Sequence, residues 1–485
     1  MLFTEPAFLF VFLPLVLAVH LLPWSAFRNV WLVLASLVFY AAGAGAFTGL
    51  ILTSIAVNYV AALAIDRARG RPSASTLLTL TVAANLVILA VFKYAGFVGG
   101  NLNALLATLG LPAVTVPAIA LPIGISFFTF HAISYVVDVA LGDAVAQKGP
   151  VAAALYLLFF PQLIAGPIIR YRDLAAQLAA RSVGVGDLAI GARRFIVGFG
   201  KKMLIANVVA GPADRLFALP PAELTASLAW LAVACYTLQI YFDFSGYSDM
   251  AIGLGRMFGF HFPENFRYPY TATSVQDFWR RWHLSLSTWF RDYLYVPLGG
   301  SRGTPLRTYV NLVTVFALCG LWHGASWTFV VWGLFHGTFL VLERLVATAG
   351  GAEMTPVARV AGRVYALLVV MVGWVFFRAD TLAGAFGVLG AMLGLAGTAA
   401  TTFATTWYLT PEVAAAIVAG IVGATPIVPM LVARLTPAGH DDATGARLLR
   451  PGVSMAMVVM LVSMLSLSLL LSAAGTYSPF IYFRF

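Results

Sequence analysis

Two histidines stand in the stretch LCGLWHGASWTFVVWGLFHG, residues 318–337, which is otherwise as apolar as a membrane span. An ionisable group at membrane depth is costly and marks a functional site by default. His323, flanked by Trp322 and followed by Trp327, is therefore a candidate for proton-transfer chemistry near neutral pH, where imidazole changes charge. His336 lies roughly 140° away around a continuous helix, so it reads as a separate, structurally satisfied residue and the two do not form a metal pair.

A third histidine sits in SVQDFWRRWHLSLSTWFRDY. At about 100° per residue, Gln276, Arg280, His283, Ser287 and Arg291 share one polar stripe of a continuous helix. Trp279, Trp282, Leu286 and Trp289 gather on another face, and Arg281, Ser285, Thr288 and Asp292 form a second polar band. One reading is an interfacial amphipathic helix with an aromatic anchor. The other places His283 between arginines that line a polar cavity suited to an anionic, phosphate-bearing substrate. Their charge would depress the histidine pKa and keep it neutral as a base. Both readings can hold together. Asp243 and Asp249, in QIYFDFSGYSDMAIG, need partners at such depth, and the arginines of 280–291 are expected to supply them. FFPQLIAGPIIRYRDL, residues 159–174, carries two prolines, a glycine and paired arginines, and predicts a re-entrant or kinked element lining a cavity.

The elements that position these residues follow from composition. Of 485 residues, 61% are hydrophobic and 10% charged, against about 25% charged in soluble domains. Apolar runs recur from residues 7–23 to 453–473 and predict a polytopic, all-α membrane protein with about 10–13 crossings. Segments 150–168 and 383–398 are expected to be short or re-entrant. The net charge of +10 is spread over loops and helix ends, which fits topology and anionic lipid rather than nucleic acid. Three arginines in DRARGRPS (Arg67, Arg69, Arg71) place that loop in the cytoplasm and the amino terminus outside. The first segment reads as a retained span rather than a cleaved signal. Cys235 and Cys319 read as buried structural thiols.

Other chemistries lack their signatures. There is no H-E-x-x-H, no cysteine pair and no G-x-S-x-G, so neither a metal centre nor a serine hydrolase is expected. GFGKK at 198–202 and GLGRMFG at 253–259 miss the phosphate-loop and dinucleotide patterns and are discounted. The chain reads as one domain, with N-terminal helices (1–245), a packed interfacial or re-entrant region (246–307), histidine-bearing helices (308–347) and C-terminal helices (348–485).

FDFSGYSDMAIGLGRMFGFHFPENFRYPY, DFWRRWHLSLSTWFRDYLYVPLGG and CGLWHGASWTFVVWGLFHG resemble the core of the membrane-bound O-acyltransferase superfamily. The likeness is closest to its bacterial polysaccharide branch, the alginate O-acetyltransferase membrane subunits, and extends to FPQLIAGPIIRYRDL and the closing SPFIYFRF. It implies a helical membrane fold around a funnel or tunnel, with His323 as the catalytic histidine and His283 as its companion. Acyl transfer from a thioester needs a base or nucleophile and a site closed to water, which the apolar setting of His323 would provide. Arg280, Arg281, Arg291, Asp243, Trp322 and Ser287 are the residues expected around substrate and donor.

The implied reaction takes acetyl groups from a cytoplasmic donor, acetyl-CoA, with no permanently bound cofactor. It carries them across the bacterial inner membrane to hydroxyls of an exopolysaccharide, alginate first and peptidoglycan or cellulose as alternatives. A periplasmic SGNH-like acetyltransferase is the expected partner, alongside other exopolysaccharide biosynthesis and export components and membrane lipids. A D-alanine carrier for teichoic acid fits less well at RYRDL and at the carboxyl end. An acetyl-group transporter without its own chemistry would need coupling carboxylates at mid-membrane and a repeat architecture. Only Asp243 and Asp138 lie deep enough, and no repeat is apparent.

Overall fold

The computed structural model describes residues 1–24, 27–220, 222–347, 354–395, 404–435, 451–475 and 480. Helix is the regular secondary structure throughout these residues, because peptide groups in hydrocarbon must be satisfied within their own segment. Many starts are written locally. Pro72, Pro150, Pro356 and Pro411 open helices at the position where an N–H has no partner anyway. Thr355, Thr381 and Thr410 accept backbone N–H groups as N-caps.

Among the described residues, seven stretches are long and apolar enough to cross a membrane: Arg28–Arg67, Pro72–Thr108, Val185–Phe217, Ala226–Met257, Trp327–Val346, Pro356–Arg378 and Met455–Ala473. Pro411–Gly423 and Ile427–Arg434, bent by 62°, make a further, broken one. The segments expected to be short are short, with helices Pro150–Leu158 and Leu382–Met392. Residues 396–398 of the second, and SPFIYFRF apart from Phe480, lie outside the described residues.

The chain forms two compact units. The first comprises Met1–Ala192, Ala251–Pro263 and Gly324–Ser326, and the second Arg193–Met250, Glu264–His323 and Trp327–Phe485. In the first, α1 (Phe8–His20), α2 (Arg28–Ala44), α3 (Thr48–Arg67), α4 (Pro72–Thr108) and α5 (Ile125–Leu141) precede α6 (Pro150–Leu158), α7 (Phe160–Leu163) and α8 (Tyr171–Ala179). Helix α5 is buried around nearly its whole circumference, so it acts as the post on which α3, α4, α6 and α8 pack. The proline-rich element after α6 is broken, as its composition predicts. Its non-helical backbone is satisfied by side chains: Ile169 N–H donates to His131 Nε2 (3.2 Å), and the Tyr156 hydroxyl donates to Ile169 O (2.8 Å).

The second unit is built along α11 (Ala226–Met257). Helix α9 (Val185–Gly200) runs into a π-helical stretch, Lys201–Ala206, and then α10 (Asn207–Phe217). After α11 come two short helices, α12 (Val275–Trp279) and α13 (Leu284–Phe290), then α14 (Pro305–His323), α15 (Trp327–Ala347) and α16 (Pro356–Arg378). The aromatics of 264–282 anchor this segment. Trp282 packs on Phe266, Tyr241 and Trp374, and the Tyr270 hydroxyl donates to Thr237 O of α11 (2.7 Å) while accepting from Trp374 Nε1 of α16 (3.2 Å).

Helices α14 and α15 form a tight hairpin, which corrects the expectation of one continuous helix through His323 and His336: the chain turns at residues 324–326. Their backbones meet at Gly320 and Gly333. A Cβ on Gly320 would lie 2.2 Å from Phe329 O, and one on Gly333 would lie 2.2 Å from Phe316 O. Neither neighbour is a flexible side chain that could move aside. Gly333→Ala is therefore expected to destabilise the protein by about 1–3 kcal/mol, whereas Gly390→Ala, which meets nothing within 4 Å, should not. Thermal unfolding in detergent separates the two, and an unchanged midpoint for Gly333→Ala would show that the hairpin contact is not tight.

Candidate active site

The helix predicted over the RRWH segment is interrupted. Helix α12 ends at Trp279, the chain turns through 280–283, and His283 adopts a left-handed backbone conformation (φ 44°, ψ 54°) immediately before α13. The predicted stripe nevertheless survives in part, since Gln276, Arg280, Ser287 and Arg291 line one cavity of about 260 Å³. His283 does not. The turn swings it away from the stripe into the protein, where it is fully buried.

There it meets Asn265, to which the sequence alone assigns no role. Asn265 Oδ1 lies 3.1 Å from His283 Nδ1 and also accepts the Ser285 backbone N–H (3.2 Å) and hydroxyl (2.9 Å). A backbone N–H can only donate, so this atom must be the amide oxygen, and the facing His283 Nδ1 must carry its proton. The ring lone pair is thereby assigned to Nε2. Asn265 Nδ2 donates to Ser248 of α11 (2.9 Å), and its backbone carbonyl accepts the Leu284 N–H (3.0 Å). One buried asparagine thus holds the imidazole, the start of α13 and α11 together. Burial pushes the His283 pKa down to about 3. The expected neutrality is present, but its cause is desolvation rather than neighbouring arginines.

His323 closes α14 and is 4% exposed. Rings enclose it: Trp322 at 4.9 Å between centroids, Trp332 at 5.1 Å and Phe377 at 5.1 Å. Trp322 also lies 6.4 Å from the His283 ring, so one indole neighbours both imidazoles. The cavity runs along the same face of α14. Its wall includes Val315 and Cys319, and His323 follows Cys319 by four residues, just over one turn or about 6 Å further along that face. Gln276, Arg280 and Arg291 at the cavity rim are exposed, while Leu286, Phe290 and Cys319 inside it are buried. Arg280 forms no ion pair among the described residues, and Arg291 pairs with Asp292 (2.7 Å). The result is a cationic mouth, an apolar interior and a buried imidazole beyond.

The remaining candidates are placed differently. Arg281 pairs with Asp277 (2.8 Å) and is not part of the cavity wall. Asp243 is not answered by the 280–291 arginines. Its counter-charge is Lys202 (2.7 Å), and Asp249 takes Lys201 (2.6 Å) and Arg194 (2.8 Å), the latter also reaching Glu264. The discounted GFGKK motif therefore supplies the cations, and the available signal was two lysines inside an apolar run facing two aspartates in another. His336 is buried with neither ring nitrogen hydrogen-bonded among the described residues. It is held by rings instead, packing edge-on to Trp279 (5.2 Å) and Trp332 (5.3 Å). Among the described residues no group of histidine, cysteine and carboxylate side chains is arranged to hold a metal.

The sequence profile of the membrane-bound O-acyltransferase family matches residues 117–377. The chain is 48% identical over 393 residues to the probable alginate O-acetylase AlgI of Azotobacter vinelandii, covering 81% of this chain and 78% of that one. It is 39% identical to the probable alginate O-acetylase AlgI of Pseudomonas putida over the whole of both chains. A peptidoglycan O-acetyltransferase of Helicobacter pylori is 37% identical over 82% of this chain and 80% of its own.

Asn265→Ala leaves the buried Ser285 N–H and His283 Nδ1–H without their acceptor, so it should cost about 1–3 kcal/mol of stability and lower acyl transfer per folded protein about 10–100-fold, the range for losing a group that orients a functional imidazole. Asn265→Asp gives a sharper readout. A carboxylate facing Nδ1–H favours the imidazolium and raises the His283 pKa, so the acid limb of the pH–rate profile should move to higher pH. A wild-type profile in the Asn265→Asp variant would remove His283 protonation from the reaction.

Proposed function

The chain belongs to the membrane-bound O-acyltransferase family and is a multi-pass membrane O-acyltransferase; we propose that it takes acetyl groups from cytoplasmic acetyl-CoA and passes them outward to hydroxyls of an exopolysaccharide, with alginate the favoured acceptor. The observation that carries this reading is the cavity whose apolar wall ends at Cys319, one turn short of His323, with Arg280 and Arg291 at its rim. Guanidinium groups suit the phosphates of a CoA donor. A volume of about 260 Å³ lies below the 300–1,000 Å³ of a typical small-molecule pocket. It therefore fits a slender thioester arm while the nucleotide stays outside.

His323 acts in this reading as general base. It removes the proton of the accepting hydroxyl as that oxygen attacks the thioester carbonyl; the C–S bond then breaks, and the imidazolium returns the proton to the departing thiolate. Trp322, Trp332 and Phe377 around it limit competing hydrolysis by keeping water out. His283, neutral and with its lone pair on Nε2, positions donor or acceptor near Trp322. Asp243, paired with Lys202, acts on substrate only through the helices it holds.

The alginate acceptor is supported by a relative of that printed name that matches along the whole chain, and by another that matches over 81% of it. Peptidoglycan is the second acceptor reading, supported by the Helicobacter relative. In this reading the membrane is the bacterial inner membrane and the amino terminus is periplasmic, which is supported by Arg67, Arg69 and Arg71 in a loop three apolar segments along, under the positive-inside rule. A periplasmic SGNH-like acetyltransferase that relays the acetyl group, within a larger exopolysaccharide assembly, completes the proposed route.

Labelled acetyl-CoA, the purified protein and a periplasmic partner test the reading. His323→Ala is expected to lower transfer about 10²–10⁴-fold, as for loss of a general base, and near-wild-type transfer would refute its role. Replacing both Arg280 and Arg291 by Ala should raise the donor KM about tenfold, with kcat little changed. A fall in kcat at unchanged KM would place the donor elsewhere. Supplying alginate and peptidoglycan fragments side by side decides the acceptor.

A further inference from the structure

The first unit carries positive charge that its own carboxylates do not balance. Asp66 pairs with Arg69, Asp143 with Arg172, Asp173 with Arg170 and Asp187 with Arg256. Asp138 accepts the Arg172 backbone N–H (2.9 Å), and Glu5 precedes α1 at the end opposite His20. Arg28 and Arg181 form no ion pair among the described residues, although both are partly buried.

The two arginines are brought to one place by the packing around them. Asn29 Nδ2 donates to Leu178 O (3.0 Å), which sets the start of α2 against the end of α8. Arg181, three residues on, is fixed on three sides. Its Nε donates to Phe258 O (3.1 Å), one Nη donates to Gln177 O (3.4 Å), and its guanidinium lies 4.1 Å from the centre of the Phe260 ring. The buried His20 ring walls the same corner, 5.1 Å from Phe258. Arg181 Nη2 and Arg28 Nε are both buried N–H donors without a hydrogen-bond partner among the described residues. Such donors are costly unless something accepts from them. Burial and the charge of Arg28 together lower the Arg181 pKa to about 10, so Arg28 acts on Arg181 as a repulsive neighbour. The first turn of α2 has no acidic residue and no capping side chain, and its helix dipole adds to the positive field.

The rim indicates what kind of anion this corner takes. Leu21, Leu22, Trp24 and Phe27, which lead into Arg28, are 43%, 40%, 62% and 41% exposed. Exposed aromatics beside arginine at the start of a membrane-crossing stretch suit the level of lipid headgroups. We infer that Arg28 and Arg181 form a binding site for the phosphate of an anionic phospholipid, whose acyl chains lie along Trp24 and Phe27. The site shares no residue with the acyl-transfer cavity and does not depend on the proposed substrate.

Native mass spectrometry of the full chain in mixed micelles tests this, with phosphatidylglycerol or phosphatidylcholine as probe. The wild type should retain phosphatidylglycerol in preference, and Arg28→Gln should weaken that retention about tenfold. Retention of phosphatidylcholine, the unfolding midpoint and acetyl transfer in phosphatidylcholine should stay unchanged. Arg28 is the cleaner position because its side chain makes no hydrogen bond among the described residues that substitution would remove. Unaltered phosphatidylglycerol retention in Arg28→Gln overturns the site. Displacement of the lipid by millimolar inorganic phosphate overturns the lipid assignment in favour of a soluble anion. Photo-crosslinking of the wild type with a diazirine phosphatidylglycerol needs no variant: labels near residues 20–31 and 177–181 support the site, and labels confined elsewhere refute it.

Discussion

The Lys202–Asp243 ion pair joins a π-helical turn to the middle of α11, with both side chains less than 5% exposed. A lone buried charge is costly, so each side chain requires the other and the pair fixes the register between the two elements. The next contacts along α11 depend on that register. Lys201 and Arg194 reach Asp249 further along the helix, and Arg194 extends to Glu264, the first residue of the aromatic segment in the second unit. Asn265 is next in sequence, and its carboxamide sets the His283 imidazole. A ladder of charge inside the membrane helices thus ends in the orientation of a single ring.

His323 is organised by other means. Its position comes from the backbone contact at Gly320 and Gly333, and three rings stand within about 5 Å of its own. Trp332 touches both His323 and His336, so the two histidines of the apolar hairpin share an aromatic wall although only one lies beyond the cavity. The arrangement gives polar precision to His283 and apolar exclusion to His323. Acyl transfer makes both demands, one on geometry and the other on dryness.

How much of this was legible in the sequence differs by scale. Spans were readable because hydropathy is a property of the segment itself, and the broken FPQLIAGPIIRYRDL element because proline and glycine act locally. The cationic stripe was readable in part: Gln276, Arg280, Ser287 and Arg291 do share a cavity, although the helix assumed for them is interrupted. The interruption left no mark on the apolar periodicity, so a helical wheel runs through it and keeps His283 with residues it has left. Asn265 was hidden for another reason. Its partners lie 17 to 20 residues away across irregular chain, and no periodicity joins such positions. The partners of Asp243 and Asp249 were misassigned because Lys202, Lys201 and Arg194 are about as far along the chain as the 280–291 arginines, and only the packing of helices decides between them.

The backbone at His283 carries a consequence for how this position can change over generations. A left-handed φ of 44° is tolerated by glycine, asparagine, aspartate and histidine far better than by β-branched or bulky residues. Drift there is confined to a short alphabet before any chemistry is considered. Within that alphabet, asparagine keeps a polar side chain and glycine keeps only the turn. Variation at this position among descendants of the chain would therefore record backbone geometry as much as selection on catalysis.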